Sequence, residues 1–377
     1  MAKALEIGII GGGLAGLTCA IHLAQKGLQI TVFEKSEYPR HKVCGEYISN
    51  EVLPYLSYLG IDVRKLGSVP IDKVHISTQE GKLLSASLPL GGFGISRYVL
   101  DQYLFIQAQS HGVQFVQEEV ARIIPEDDCY RITTLRDNEY EVDLAIGAYG
   151  KRSALDKNLN RSHSQQKTPW IGIKCHYKGI IEKNVVQLHN FPGGYCGISA
   201  VESNTVNLCA LLHTDEFLAY KNIPDFVDKV MCRNPHVSDF ISGGQMVFDR
   251  YISIAQIDFS PKLPVENHIP MIGDAAGLIH PLCGNGMAMA FQSAYLISEL
   301  VLRYETKNNL NQNLRKFEKE YTARWKRKFT SRLRTGRWLQ HTLLNPGLQT
   351  LAYTMAGLFP GIVPKLIEQT HGKPMLC

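Results

Sequence analysis

Three groups of residues in this 377-residue chain have the types and spacing to do chemistry. The first is Gly11-Gly12-Gly13-Leu14-Ala15-Gly16, a GxGxxG that follows the apolar run Ile7–Ile10 and opens a helix-like stretch ending at Gly27. Glycines so placed allow a tight turn and close backbone approach to a pyrophosphate, which rests on the unpaired N–H groups of the helix start. Glu34 closes a second apolar strand eighteen residues beyond Gly16, where a carboxylate can accept ribose hydroxyls. The second group is Gly273 and Asp274 after a short strand, then Pro281, then Gly284-Asn285-Gly286 at the start of a long helix. A carboxylate at the carboxyl edge of a sheet lies where open α/β folds bind ligands, and a second helix start favours negative charge. The third is the thiol of Cys44 in Val43-Cys44-Gly45-Glu46, with Arg40 and Lys42 close by. Neighbouring cations favour a thiolate, although a free cysteine is also among the most buried residue types.

These residues need a scaffold. At 377 residues, 45% hydrophobic and 20% charged, the chain is long enough for two cores. The predicted class is α/β: a Rossmann-like dinucleotide-binding domain from residues 1–66, 97–165 and 263–303. An inserted antiparallel β-sheet substrate domain takes 67–96 and 166–262, and a basic helical segment takes 304–377. Strands are expected in "VQFVQEEVARII", "CYRITTL" and "EYEVDLAIGAYG", and a helix is expected over Thr214 to Met231. Alternation offers Phe191, Tyr195 and Met246 as pocket lining, without separating lining from core.

The nine cysteines form no CxxC pair, which suits reduced thiols in a cytoplasmic protein and offers no metal site. The N-terminal apolar run is broken by glycines and does not read as a signal peptide. The fingerprint alone fits NAD or FAD, and its N-terminal position leans towards FAD.

Taken together, "IGDAAGLIHPLCGNG" and the N-terminal fingerprint resemble the paired motifs of the FAD family containing aromatic hydroxylases, geranylgeranyl reductases and flavin-dependent halogenases. The geranylgeranyl-reductase-like branch is the nearest in pattern, and the resemblance spans roughly Ile7 to Tyr304. It implies FAD held by Gly11, Gly13, Leu14, Ala15, Gly16, Glu34, Lys35, Lys42, Cys44, Gly45 and Arg97. Val120 would lie by the adenine, and Ala148 and Gly150 by the pyrophosphate. Gly273, Asp274, Pro281, Gly284, Asn285, Gly286 and Met287 would meet the ribityl chain and isoalloxazine. Cys44-Gly45 matches a pair found in reductase-like members and makes Cys44 the catalytic candidate, as proton donor or thiolate. Cys283 is a second thiol on the facing loop. Tyr149 stands where the hydroxylases carry an acid, and the tryptophan motif of halogenases is absent.

The activity so implied is reduction or dehydrogenation of a C=C bond in a hydrophobic substrate, by hydride transfer at flavin N5. The alternatives are monooxygenation of an aromatic or polyketide substrate through a C4a-hydroperoxide, and electron transfer with a protein docked on the basic tail. There is no second GxGxxG, so electrons come from NAD(P)H at a surface cleft or from an external protein reductant.

Between Arg303 and Trp338 twelve Lys/Arg face three Glu, a local +9 that leaves about −4 for the rest of the +5 chain. Phe317, Tyr321, Trp325, Phe329 and Leu333 recur every four residues there, an apolar stripe on a cationic helix. Two readings stay open: a layer packed on the core, or a face for an anionic partner or peripheral membrane contact. Pro346, Pro360 and Pro364 interrupt the apolar stretch beyond, so no clean transmembrane span is expected. Nucleic acid is not expected, because no binding module accompanies the charge.

Overall fold

The computed structural model describes residues 5–161, 167–305, 313–344, 347–348, 353–356 and 361–375. Strand β1 (Glu6–Ile10) is almost wholly buried, as a central parallel strand must be. It pairs in parallel with β2 (Gln29–Phe33) on one side and with Leu144–Gly147 on the other. Gln114–Val116 completes this four-stranded sheet beyond β2. Helix α1 (Leu14–Ala24) is apolar around most of its girth because it lies between this sheet and the helices Arg97–Ser110 and Gly286–Glu305. The turn that follows it closes at Gly27, whose φ of +85° suits a residue without a side chain.

A nine-stranded sheet forms the second body. Its strands Val69–Ser77 and Leu83–Gly94 come from one stretch of sequence; Trp170–Lys178, Val185–Phe191, Gly194–Val201 and Thr205–His213 come from another. The stretches meet where Val185–His189 pairs with Lys73–Ser77, and that contact is parallel within an otherwise antiparallel sheet. One face packs on short helices through Ile173, Tyr177, Phe191 and Phe226. The other face, with Gly172, Tyr195 and Leu211, looks towards the dinucleotide-binding domain.

Three expected elements divide. "VQFVQEEVARII" gives Gln114–Val116 in the parallel sheet and Val120–Pro125 in a separate three-stranded meander. The break falls at Glu118, whose carboxylate accepts from Thr134 Oγ1 (2.5 Å) and Asn138 Nδ2 (2.9 Å) of the next hairpin. "EYEVDLAIGAYG" likewise divides at Asp143 between the two sheets. The helix expected over 214–231 becomes Thr214–Leu218 and Ile223–Lys229, with Pro235–Gly243 following. Asn222 and Asn234, each followed by Pro in the first turn, cap and restart the chain there.

The basic helix spans Leu314–Leu344. Phe317, Tyr321, Trp325 and Phe329 are buried against the core, and the Tyr321 hydroxyl donates to the Met271 carbonyl at 2.6 Å. Burying four such side chains contributes ~1.5–3 kcal/mol each, so this stripe holds the helix in place. Among the described residues no helix is long and apolar enough to cross a membrane.

Candidate functional site

The turn after β1 depends on absent side chains. Gly11 has φ +112°, and a Cβ there would lie 2.4 Å from the Ala148 carbonyl oxygen; one on Gly16 would lie 2.0 Å from the Gly11 oxygen. Gly13 differs. It caps α1 in an extended conformation with no side-chain hydrogen bond, and a Cβ on it would meet only Arg97 Nη2 at 4.0 Å. The helix start therefore faces open space with its N–H groups uncapped by any side chain. At the end of β2, Glu34 accepts from the Gly12 and Ser36 amides, both at 3.0 Å, and pairs with Arg40 at 3.0 Å.

Arg97 opens the helix Arg97–Ser110, capped by Ser96 Oγ accepting from the Val99 amide at 3.1 Å. Its guanidinium is bidentate on Asp101 at 2.7 and 2.8 Å, and Lys42 donates to the same carboxylate at 2.8 Å. Burial alone would raise the Asp101 pKa, but Arg97 and Lys42 hold it below the usual carboxylate range. One buried anion thus fixes two cations at the wall of a cavity.

The Gly273-Asp274 segment reaches the same cavity. The Gly273 amide donates to Ser293 Oγ at 2.8 Å, and a Cβ on Gly273 would stand 3.0 Å from the Ala15 Cβ. That close approach brings together two motifs more than 240 residues apart. Lys262 Nζ donates to the carbonyls of Asp274 (3.0 Å) and Lys151 (2.9 Å), tying down the loop.

The thiol loop closes the third side. Cys44 Sγ is 3.5 Å from Met287 Sδ, in the first turn of the helix Gly286–Glu305. Asn207 Nδ2 donates to the carbonyls of Cys44 (3.2 Å) and Gly45 (2.9 Å). Glu46, with φ +57°, is fully buried. It accepts from the Arg97 amide at 2.7 Å, pairs with Lys174, and takes His176 Nε2 at 2.7 Å. Burial would raise the Glu46 pKa, but Lys174 and His176 hold it low. Glu46 is therefore a buried ion-pair residue and not a solvated one. His41 stacks on Tyr98 (centroids 4.6 Å apart) and lies tilted against Phe248 (4.4 Å), and burial, with His176 and Lys174 adding, pushes its pKa down to about 4. Near neutral pH it is uncharged.

These walls enclose a cavity of about 1060 Å³. Gly11, Gly13, Leu14, Ala15, Glu34, Lys42, Cys44, Gly45, Arg97, Ala148, Gly273, Asp274, Pro281, Gly284, Gly286 and Met287 all line it, as does Tyr195. Five other cofactor candidates do not. Gly16 packs beneath the turn, and Lys35 points outward to Glu119 at 2.9 Å. Val120 is buried in the meander, and Gly150 lies outside the lining with φ +86°. Asn285 is buried and donates to the Thr370 carbonyl at 2.6 Å. Two pocket candidates are corrected. Phe191 is 1% exposed on the helix-covered face, edge-on to Phe226, and Met246 is an exposed edge residue paired with Tyr177. The side chain of Cys283 lies outside the described residues.

Sequence reasoning missed the far end of the cavity. Val74, Ile76, Leu84, Leu88, Val186 and Leu188 form one aliphatic wall, and Trp338, Tyr353, Met355, Val363 and Ile367 of the C-terminal segment form a roof. The only signal was the apolar content of those segments. His280 lies behind Tyr195, ring centroids 5.9 Å apart, and burial pushes its pKa down to about 3. It is a neutral packing residue.

An uncapped helix start, glycines that open the floor, a carboxylate at the end of β2 and Asp274 across the cavity suit a dinucleotide carrying a redox ring. A family model for an NAD(P)-binding Rossmann-like domain matches residues 9–43, and one for squalene epoxidase matches residues 250–333. The chain is 24% identical to digeranylgeranylglycerophospholipid reductase 1 of Methanothermobacter thermautotrophicus, over 80% of this chain and 77% of the relative. It is 21% identical to conditioned medium factor receptor 1 of Dictyostelium discoideum (86% and 69% covered) and 24% identical to kynurenine 3-monooxygenase of Christiangramia forsetii (81% and 74%). The flavin-dependent brominase Bmp2 shares its fold, with TM-score 0.75 and 17% identity over 97% of this chain and 93% of that one. Fold and site have the form of a Rossmann-type dinucleotide-binding domain with two glycine motifs meeting at one cavity. The chain is similar, over most of its length, to FAD-dependent oxidoreductases and monooxygenases.

Proposed function

We propose that this flavoenzyme reduces or dehydrogenates a C=C bond in a hydrophobic organic substrate. The observation that carries the reading is the continuity of the cavity, whose charged end at Gly13, Glu34, Arg97 and Asp274 runs past Cys44 and Tyr195 into the aliphatic compartment. FAD, when bound and reduced by NAD(P)H or an external protein reductant, supplies the hydride. The rest falls to the chain. The start of α1 and Arg97 meet the negative charge of the pyrophosphate, and the first turn at Gly286 offers N–H groups to negative charge on the ring. The aliphatic walls hold the substrate and exclude water from the reacting carbons. Cys44 delivers a proton to one carbon while the hydride goes to the other, so the double bond gains two hydrogens.

The name of the archaeal reductase relative supports this reading. Monooxygenation is the second reading, favoured by the squalene-epoxidase match and the kynurenine monooxygenase relative. The deciding experiment reduces the flavin under nitrogen and adds candidate isoprenoid alkenes and aromatic compounds. Flavin reoxidation by an alkene without oxygen, giving a saturated product, is expected. Reoxidation only with oxygen, giving a product one oxygen atom heavier, would establish monooxygenation instead. Failure to bind flavin at all would remove both.

A further inference from the structure

The C-terminal layer has an outer face that the redox reading leaves unused. In the helix Leu314–Leu344 one stripe is buried, while Arg327, Ser331, Arg334 and Trp338 are exposed to solvent. Arg327 and Trp338 stand eleven positions apart, about three turns, so these side chains share one line along the helix. Trp338 is 55% exposed, Leu348 38% and Met355 40%, yet all three also line the main cavity. They form an apolar rim where the aliphatic compartment reaches solvent.

The same helix also lines a groove rich in cations, with Glu299 its one carboxylate among the described residues. Arg327, Lys328 and Lys373 line a groove of about 890 Å³ whose apolar lining includes Tyr295 and Met375. Glu320 pairs with Arg303 and Arg324, both at 2.7 Å, and Glu51 lies 3.7 Å from Arg332. Among the described residues no carboxylate comes within ion-pair range of Arg327, Arg334 or Lys373. Arg327 and Arg334, with no carboxylate in ion-pair range among the described residues, therefore share the helix line of the exposed Trp338.

We propose that this face docks the protein on an anionic phospholipid bilayer. Trp338, Leu348 and Met355 would enter the headgroup–acyl boundary, and Arg327, Arg334 and Lys373 would meet lipid phosphates. An acidic protein surface answers the cations but not the apolar rim; a bilayer answers both. The purpose of docking rests on the redox reading, since it would let an apolar substrate enter the cavity without crossing water. The docking itself is tested without any redox step.

The test sediments the full FAD-loaded chain with vesicles of phosphatidylcholine alone and of phosphatidylcholine with phosphatidylglycerol, at low and high salt. Binding to the anionic vesicles is expected, weakening with salt and accompanied by a blue shift of tryptophan fluorescence. Trp338→Ser removes the shift. Arg327→Glu with Arg334→Glu lowers partitioning by at least about tenfold. All three positions are exposed, so flavin content and thermal midpoint should hold, which confirms that the variants fold. Equal sedimentation with and without vesicles overturns the proposal. So does capture by soluble polyglutamate with no effect of Trp338→Ser, which would point to an acidic protein. Vesicle binding in a chain that shows no alkene-dependent reoxidation would leave the docking standing and the redox reading without support.

Discussion

The Lys174 ammonium and the Glu46 carboxylate form an ion pair with both side chains fully out of solvent, across 128 positions of sequence. His176 takes the other carboxylate oxygen, so two residues of one strand grip the residue that follows Cys44-Gly45. The substrate sheet thereby sets the position of the thiol loop.

Removing one partner of such a pair leaves an uncompensated buried charge. Glu46→Gln should destabilise the protein by ~3–5 kcal/mol, while Glu46→Gln with Lys174→Met should recover much of that stability. Denaturant midpoints of the two variants measure this. If the single and double variants are destabilised equally, the charge of Lys174 is not the cause.

The same carboxylate predicts a pH dependence. Its folded pKa lies below its usual 4.5, so its stabilisation is complete above 4.5. The contribution is lost as pH falls from there through the depressed folded value, because the unfolded chain binds the proton first. Acid titration of stability should therefore be shallower in the Glu46→Gln, Lys174→Met variant than in the native chain over that window.

Gly13 offers a test that separates cofactor binding from folding. Its backbone is extended and a Cβ would meet only Arg97 at 4.0 Å. Gly13→Asp should cap α1, a change worth up to ~1 kcal/mol in favour of the fold. Its charge would occupy the pyrophosphate position. The expected product is a stable, colourless protein whose FAD affinity falls at least ~100-fold, about 2.7 kcal/mol; calorimetric FAD titration and the thermal midpoint report the two effects separately.

Cys44→Ala tests proton delivery. Flavin content should persist, because the Cys44 thiol rests on Met287 Sδ at 3.5 Å and takes no part in shaping the glycine turn. Turnover under saturating substrate should fall by roughly 10²-fold, the range for removal of an acid catalyst. A change below about twofold on that scale would reduce Cys44 to packing.

Leu188→Trp tests the aliphatic compartment. Leu188 lines the cavity on the sheet side, away from the glycine turns. Filling that space should raise KM for long-chain substrates about tenfold, equivalent to one or two CH₂ groups no longer buried, and leave FAD binding unchanged.

How much of this was legible differs from residue to residue. Gly11, Gly16 and Gly273 were readable because backbone conformation and close approach admit no side chain there, and such a demand shows in local sequence. Asp274 was readable for a similar reason, since a loop between a short strand and a glycine-rich helix start has few other uses. Phe191 was misread because both faces of its sheet are apolar, one under helices and one under the cofactor domain, and alternation does not say which is which. Glu46, Lys174 and His176 each look like solvated surface in isolation. Only the crossing of the Cys44 loop over a distant strand turns them into one buried network. The stripe Phe317 to Phe329 announced a packed helix, but nothing local announced that the segment beyond it roofs a cavity.

The hydrogen bond from Asn285 to the Thr370 carbonyl has a thermodynamic consequence. Asn285 sits between Gly284 and Gly286 of the loop before the helix Gly286–Glu305, and Thr370 ends a helix whose residues roof the aliphatic compartment. Any coupling between a ring bound at that loop and an apolar ligand held under that helix is therefore reciprocal. Whatever factor bound FAD adds to the affinity for an apolar substrate, the substrate must return to FAD, so an enzyme saturated with substrate should be the slowest to lose its flavin.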